Sequence, residues 1–375
     1  MLTSIRVSLL CLVCLLALTV FGRQSGSVKT ANADRQSSLE SSIETALVPE
    51  KATVMIGEPA YLSFVVNNLS DQGLQIAIGG DYRNALGRPE SFKVIVIAKN
   101  GDKVPQPDAG PGFGGVLGTG KLPAKGSYTF KLFLPDWAIF SEAGNYTITA
   151  SRELSLIKDN ENWEPGNERA IRKMNVEATT TIRVVPRDTI QMAQVIDELG
   201  NALMDKDNPD TVDTVKSLSR IDDERTIPWL VKAFESRNSY LQFAAVQALS
   251  KFNNEEAFEI LKRAMDTKAD DIPAASEKLA EGAAESMRLT AANALAVSKY
   301  PGSIPFLLTR RFDKSENIRL TVVHTLGKMK SEEAADILKE MSHDKKEIVR
   351  NEASRYLQEY CKDSGRDISP CKGIK

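Results

Sequence analysis

Two columns of leucine recur through the C-terminal half of the chain with a 31-residue period. Leu218, Leu249, Leu295, Leu326 and Leu357 form the first, and Leu230, Leu261, Leu307 and Leu338 form the second. Both columns step by 31 except once, where the step is 46, one period plus 15 residues. A fixed period of this size constrains the fold strongly. Each unit has an apolar face that it cannot bury alone, so the units must stack into an α-solenoid.

The spacing inside one unit gives its local structure. Leu241, Met287, Ile318 and Val349 precede the first column by eight residues, and Ala245, Ala291, Val322 and Ala353 by four. Positions i, i+4 and i+8 form one stripe of a helix, and the small middle residues let neighbouring helices approach. Trp229, Ile260, Phe306 and Ile337 each precede a leucine of the second column, which marks a second helix per unit. The extra 15 residues fall between about Thr267 and Glu285, include Pro273 and Gly282, and read as a solvent-exposed excursion.

These units resemble the short HEAT repeats of phycobilisome bilin lyases. The residues that carry the likeness are Met287 to Leu295, Ile318 to Gly327 and Ile348 to Ala353. The resemblance implies two antiparallel helices per unit and a polar ladder of Arg288, Arg319 and Arg350, with Gln242 in the equivalent place one unit earlier. The expected docking face is formed by the concave second helices. Candidates there are Lys232, Arg263, Arg310, Lys339 and Glu340, with Trp229 and Phe306 beside them.

The N-terminal half alternates with period two. Leu62, Phe64 and Val66, then Phe92, Val94 and Val96, then Phe130, Leu132 and Leu134 each fall on one side of an extended segment. Tyr146, Ile148 and Ala150 do the same, and Ile182 and Val184 close the series. Turns such as Asn100-Gly101-Asp102 separate them, which predicts an antiparallel β-sandwich over 46–187. Gly57 to Phe64 and Glu142 to Ile148 resemble strands of immunoglobulin-like domains in bacterial exported proteins, with a tyrosine after a glycine turn as in the tyrosine corner. At Pro186-Arg187-Asp188 the period becomes helical, with Asp188 a candidate N-cap, and the solenoid is expected over 188–363.

The first residues read as an export signal. Arg6 precedes an apolar run from Val7 to Phe21, short for a membrane span, and small residues place cleavage after Gly22 or Ala33. Residues 1–22 are the expected signal peptide and 23–45 a polar tether; an uncleaved membrane anchor is the alternative. Leu10 and Val13 precede Cys11 and Cys14, where a lipoprotein signal requires a small residue. The mature chain then holds Cys361 and Cys371, expected to pair across a turn-rich tail over 364–375 in an oxidising, periplasmic or secreted compartment.

Chemistry is hard to place. The net charge of -2 gives no field for nucleic acid, so none is expected as a partner. Gly110 to Gly115 spells G-x-G-x-x-G, but Pro105 and Pro107 precede it instead of a strand, and the stretch from Gly115 to Lys121 reads as a glycine-rich loop. The only histidines, His324 and His343, lack the His-Glu pairing of HEAT-fold oxygenases resembling deoxyhypusine hydroxylase. No catalytic, metal or cofactor residue is nominated. Bilin lyases act on cytoplasmic antenna proteins and lack the β-sandwich, which weakens that enzymatic alternative. A protease inhibitor acting through the loop from Lys103 to Lys121 is another. Asn68-Leu69-Ser70 and Asn145-Tyr146-Thr147 have the form of glycosylation acceptors. The expectation is a non-catalytic scaffold of the cell envelope that docks a protein or peptide and has no membrane span once the signal is removed.

Overall fold

The computed structural model describes residues 42–79, 91–107, 117–159, 171–205, 207–236, 238–272, 276–364 and 369–371. The expected signal segment, most of the expected tether, the G-x-G-x-x-G stretch, Trp163 to Gly166 and Pro273 lie outside the described residues. Two compact units divide between Pro186 and Arg187.

The first unit is built of strands β1 (Ile43–Pro49), β2 (Thr53–Met55), β3 (Tyr61–Asn68), β4 (Leu74–Gly79), β5 (Lys93–Ala98), β6 (Leu117–Leu122), β7 (Ser127–Phe133), β8 (Gly144–Lys158) and β9 (Arg172–Val185). One sheet has the order β1-β3-β7, and the other β2-β9-β8-β4-β6. Strand β8 is long enough to pair with β5 through Tyr146 to Ser151 and with β4 through Leu156 to Lys158 along the same edge. All pairings are antiparallel except β2 with β9. Alternate residues of both sheets, among them Phe64, Leu132, Ile76, Val94, Ile148 and Ile182, meet in one buried cluster. Period-two patterning therefore becomes a shared core, because every second side chain points to the same face.

Three expectations change here. The glycine-rich stretch from Gly115 to Lys121 does not remain a loop, since Leu117–Leu122 forms β6 against β4. The Tyr128 ring lies over Gly120 so closely that an added Cβ would sit inside it, so the glycine is required by that contact. Strand β1 starts at Ile43, inside the expected tether. Asn68 is fully buried, with its amide donating to the carbonyls of Gln72 at 2.7 Å and Pro123 at 3.0 Å, so it cannot accept a glycan in the folded state. Asn145 is exposed on β8.

The second unit is helical. Helix α1 (Thr189–Met204) is followed by α2 (Thr211–Arg220), α3 (Ile227–Glu235), α4 (Ser239–Leu249), α5 (Glu255–Met265), α6 (Glu277–Val297), α7 (Ser303–Leu308), α8 (Glu316–Met329), α9 (Glu332–Met341) and α10 (Glu347–Ser364). The five leucines of the first column lie on α2, α4, α6, α8 and α10, and the other four on α3, α5, α7 and α9; all nine are at most 3% exposed. Side-chain caps fix several helix starts: Asp188 accepts from the amides of Ile190 and Gln191 at 2.9 and 2.8 Å, and Asn238, Asn254, Ser276 and Ser331 cap α4, α5, α6 and α9. The insertion is not a plain excursion. Ala269–Asp271 forms one turn of 3-10 helix, and the stretch from Glu277 onward lengthens α6 to 21 residues, against 11 in α4 and 14 in α8.

Gly200 on α1 backs onto the Trp229 ring of α3, where an added Cβ would overlap the indole. Gly200→Ala gains helix propensity of about 1 kcal/mol but forces repacking that costs about 1–3 kcal/mol. The expected result is a net loss of up to about 2 kcal/mol in denaturant titration, with a shift in tryptophan emission.

Candidate docking face and the polar ladder

The second helices bring most of the candidate docking residues into one row, and the row is tied together. Arg263 on α5 reaches back to Glu235 on α3 at 3.1 Å. Arg310, in the 3-10 turn after α7, pairs with Asp266 after α5 at 2.8 Å. The neighbouring Arg311 pairs with Glu340 on α9 at 3.2 Å. Each bridge thus joins one hairpin to the next. Exposed pairs of this kind contribute about 0–1 kcal/mol each, so they orient side chains more than they stabilise the stack.

Aromatic rings lie beneath the cations. Lys232 Nζ sits 4.2 Å from the Trp229 ring centre, and the Arg310 guanidinium 4.8 Å from Phe306. Trp229 and Phe306 are half-buried, with part of each ring left to the surface. Phe258 stacks on Tyr300 at 4.7 Å and meets Phe306 edge-on at 6.0 Å, with Lys262 over both Phe258 and Phe306. Lys339 is half-buried on α9, and its carbonyl accepts from Ser342 Oγ at 2.7 Å. A groove of about 670 Å³ opens between α3, α4 and α5, lined by Glu235, Gln242, Lys262, Arg263 and Asp266 among others. The Gln242 side-chain carbonyl is buried there without a hydrogen-bond partner among the described residues. The groove lining thus mixes side-chain donors and acceptors.

The ladder residues occupy equivalent positions on the first helices, with a regular partner. Arg319 donates to the Asp313 carbonyl and Arg350 to the Asp344 carbonyl, both at 2.7 Å and both six residues back. Arg288 donates to the Thr267 carbonyl at 3.2 Å, 21 residues back, the same closure lengthened by the insertion. Gln242, being shorter, bonds the Phe234 carbonyl at 3.0 Å. Each side chain ties its helix to the end of the preceding one. Arg319 alone also bridges units, through two bonds to the Asp344 carboxylate at 2.7 and 2.9 Å. Burial pushes the Asp344 carboxyl up, but the Arg319 guanidinium and the Lys346 amide outweigh it, and the net shift is downward.

Sequence reasoning missed Asp344, Arg311 and Lys251. Asp344 and Arg311 were hidden because their partners lie 25 and 29 residues away. Lys251 is partly buried, donates to the Ser219 carbonyl at 2.7 Å and to the Ile221 carbonyl, and so caps the end of α2. Burial pulls its ammonium group down to about 8. Cys361 and Cys371 form a disulfide, with Cα atoms 5.5 Å apart. His324 lies 3.6 Å from Glu352 on an exposed helix face, and His343 follows α9 with Nδ1 3.1 Å from the Lys339 carbonyl. Among the described residues no group of three His, Cys, Asp or Glu side chains could hold a metal ion, and no helix is long and apolar enough to cross a membrane.

No curated protein matches the chain. Among solved structures, AvmM, which catalyses macrocyclization in alchivemycin A biosynthesis, is 19% identical over 40% of this chain and 92% of its own, with a TM-score of 0.17. BslA, a bacterial hydrophobin, is 14% identical over 40% and 97%, with a TM-score of 0.18. Human deoxyhypusine hydroxylase, solved with glycerol, is 17% identical over 48% and 93%, also at 0.18. At such scores none of the three bears on what this chain does. The family model of HEAT repeats matches residues 196–279 and 272–358. The helical region of the chain, from residue 196 to residue 358, is therefore made of HEAT repeats.

Proposed function

We propose that this chain is an exported, non-catalytic scaffold of the cell envelope. In this reading an immunoglobulin-like β-sandwich precedes a HEAT-type α-solenoid, and the second-helix face docks a protein or peptide partner. The observation that carries it is the continuous row of cations over half-buried rings, from Lys232 and Trp229 to Arg310 and Phe306, joined across hairpins by Glu235–Arg263 and Asp266–Arg310. Arginine beside aromatic surface is the composition that anchors protein interfaces. The Cys361–Cys371 bridge supports an oxidising compartment. The Tyr146 hydroxyl, donating to the Glu142 carbonyl at 2.8 Å, supports the tyrosine-corner reading of the β unit.

The test is crosslinking of the full chain in envelope extract, followed by mass spectrometry. Lys232→Glu/Arg263→Glu/Lys339→Glu should fold, shown by an unchanged far-UV spectrum, and lose the proteins enriched by the wild type. An identical enriched set for both chains, or none for either, overturns the proposed face.

A further inference from the structure

A second groove, of about 510 Å³, lies beside the inserted segment and has a charge pattern unlike the docking row. Lys268, Lys278, Arg288 and Lys314 line it, together with Glu281 and Glu285. Glu285 accepts from Ser315 Oγ at 2.6 Å. Among the described residues none of the four cations forms an ion pair, whereas Arg263, Arg310 and Arg311 of the docking row are each bridged to a neighbouring hairpin. The groove thus carries an excess of two positive charges.

The repeat itself indicates what such a groove takes. Arg288 and Arg319 hold the same ladder position, and each donates to the carbonyl at the end of the preceding hairpin. Arg319 spends its remaining donors on the Asp344 carboxylate in a two-bond fork. One repeat earlier the equivalent acid is Asp313, whose carboxylate accepts from the Ser315 amide at 2.9 Å. Asp313 forms no bond with Arg288, which instead lines the groove together with Lys268, Lys278 and Lys314. A guanidinium fork matches a carboxylate geometrically, and lysines add charge without that geometry.

We propose that this groove binds a carboxylate side chain of an acidic peptide segment on a protein partner, with Arg288 as the fork and Lys268, Lys278 and Lys314 as flanking charges. The proposal rests on the reading of the helical repeats as a docking module, but places this contact on the insertion and not on the second-helix row. A peptide of adjacent carboxylates offers a counter-charge to each of the four cations that line the groove. A nucleic-acid strand would need a wider basic surface, and the flanking Glu281 and Glu285 oppose it.

The experiment titrates the full chain against dye-labelled decaglutamate and decaglutamine by fluorescence anisotropy, with polyuridylate as a third probe. Decaglutamate should bind, weaken with added salt, and lose affinity by about tenfold or more in Arg288→Gln/Lys314→Gln. Lys314→Glu, an exposed change that leaves Arg288 in place, should weaken it equally, whereas Lys99→Glu, exposed in the turn after β5 and outside both proposed sites, should not. The proposal is overturned if decaglutamate binds no better than decaglutamine, if the groove variants bind like the wild type, or if polyuridylate binds more tightly. Partner capture by the docking row that survives the groove variants, alongside no decaglutamate binding, would remove this site and leave the scaffold reading intact.

Discussion

Arg319→Ala is expected to destabilise the helical repeats by about 3–5 kcal/mol, read as a drop in the urea midpoint. The Arg319 side chain is 2% exposed and that of Asp344 10%. Removing the guanidinium strands a mostly buried carboxylate and frees the carbonyls of Asp313 and Lys314. Arg350→Ala, which loses one bond from a half-buried side chain, should cost about 1 kcal/mol. The pH dependence has a definite sign. The folded Asp344 carboxyl titrates below its unfolded value. The pair's contribution is therefore fully present above about pH 4 and is lost as pH falls through the lower folded value. The gap between wild type and Arg319→Ala should be wide at neutral pH and shrink in acid. An unchanged midpoint at neutral pH would refute the ladder as a stabilising device.

Removing the disulfide is expected to cost about 2–3 kcal/mol, since it closes a short loop whose freedom the reduced chain regains. Cys361 and Cys371 are 4% and 2% exposed, and the bridge holds the 3-10 turn Ser369–Cys371 against α9 and α10. Helix α10 is the last α-helix among the described residues. Cys361→Ala/Cys371→Ala should melt earlier than the wild type, with amide exchange accelerating first in α10. The wild type treated with reductant should match the double variant. A reductant-insensitive melt would show that α10 holds without the bridge.

The period of 31 residues made the helical half legible, because each leucine of a column meets its equivalents in the buried interior. The helix change at Asp188 was legible for a local reason: its carboxylate caps amides two and three residues away. The β strands were only partly so. Leu154 and Leu156 continue β8 well past Ala150, but their alternation is broken in sequence by Arg152, an arginine on the core face. Its guanidinium lies between Phe92 and Phe130, at 4.8 and 4.2 Å, a contact that no local pattern reveals. Strand β6 hid behind its two glycines, of which Gly120 makes room for the Tyr128 ring overhead. The candidate docking residues could be named, but their pairings depend on neighbours nearly one full repeat away.

The arginine closure has a consequence for how this chain tolerates change. In three hairpins the same side chain reaches the same carbonyl, although one connector is 15 residues longer than the other two. The anchor therefore fixes the two ends of the connector and leaves its length free. Length added there leaves both leucine columns in register, because the next helix starts from the same tether. Loop closure grows costly only slowly with length. The joint before each first helix is thus where the repeat can take on new surface while its interior stays unaltered, and the cationic groove stands at the one joint where that has happened.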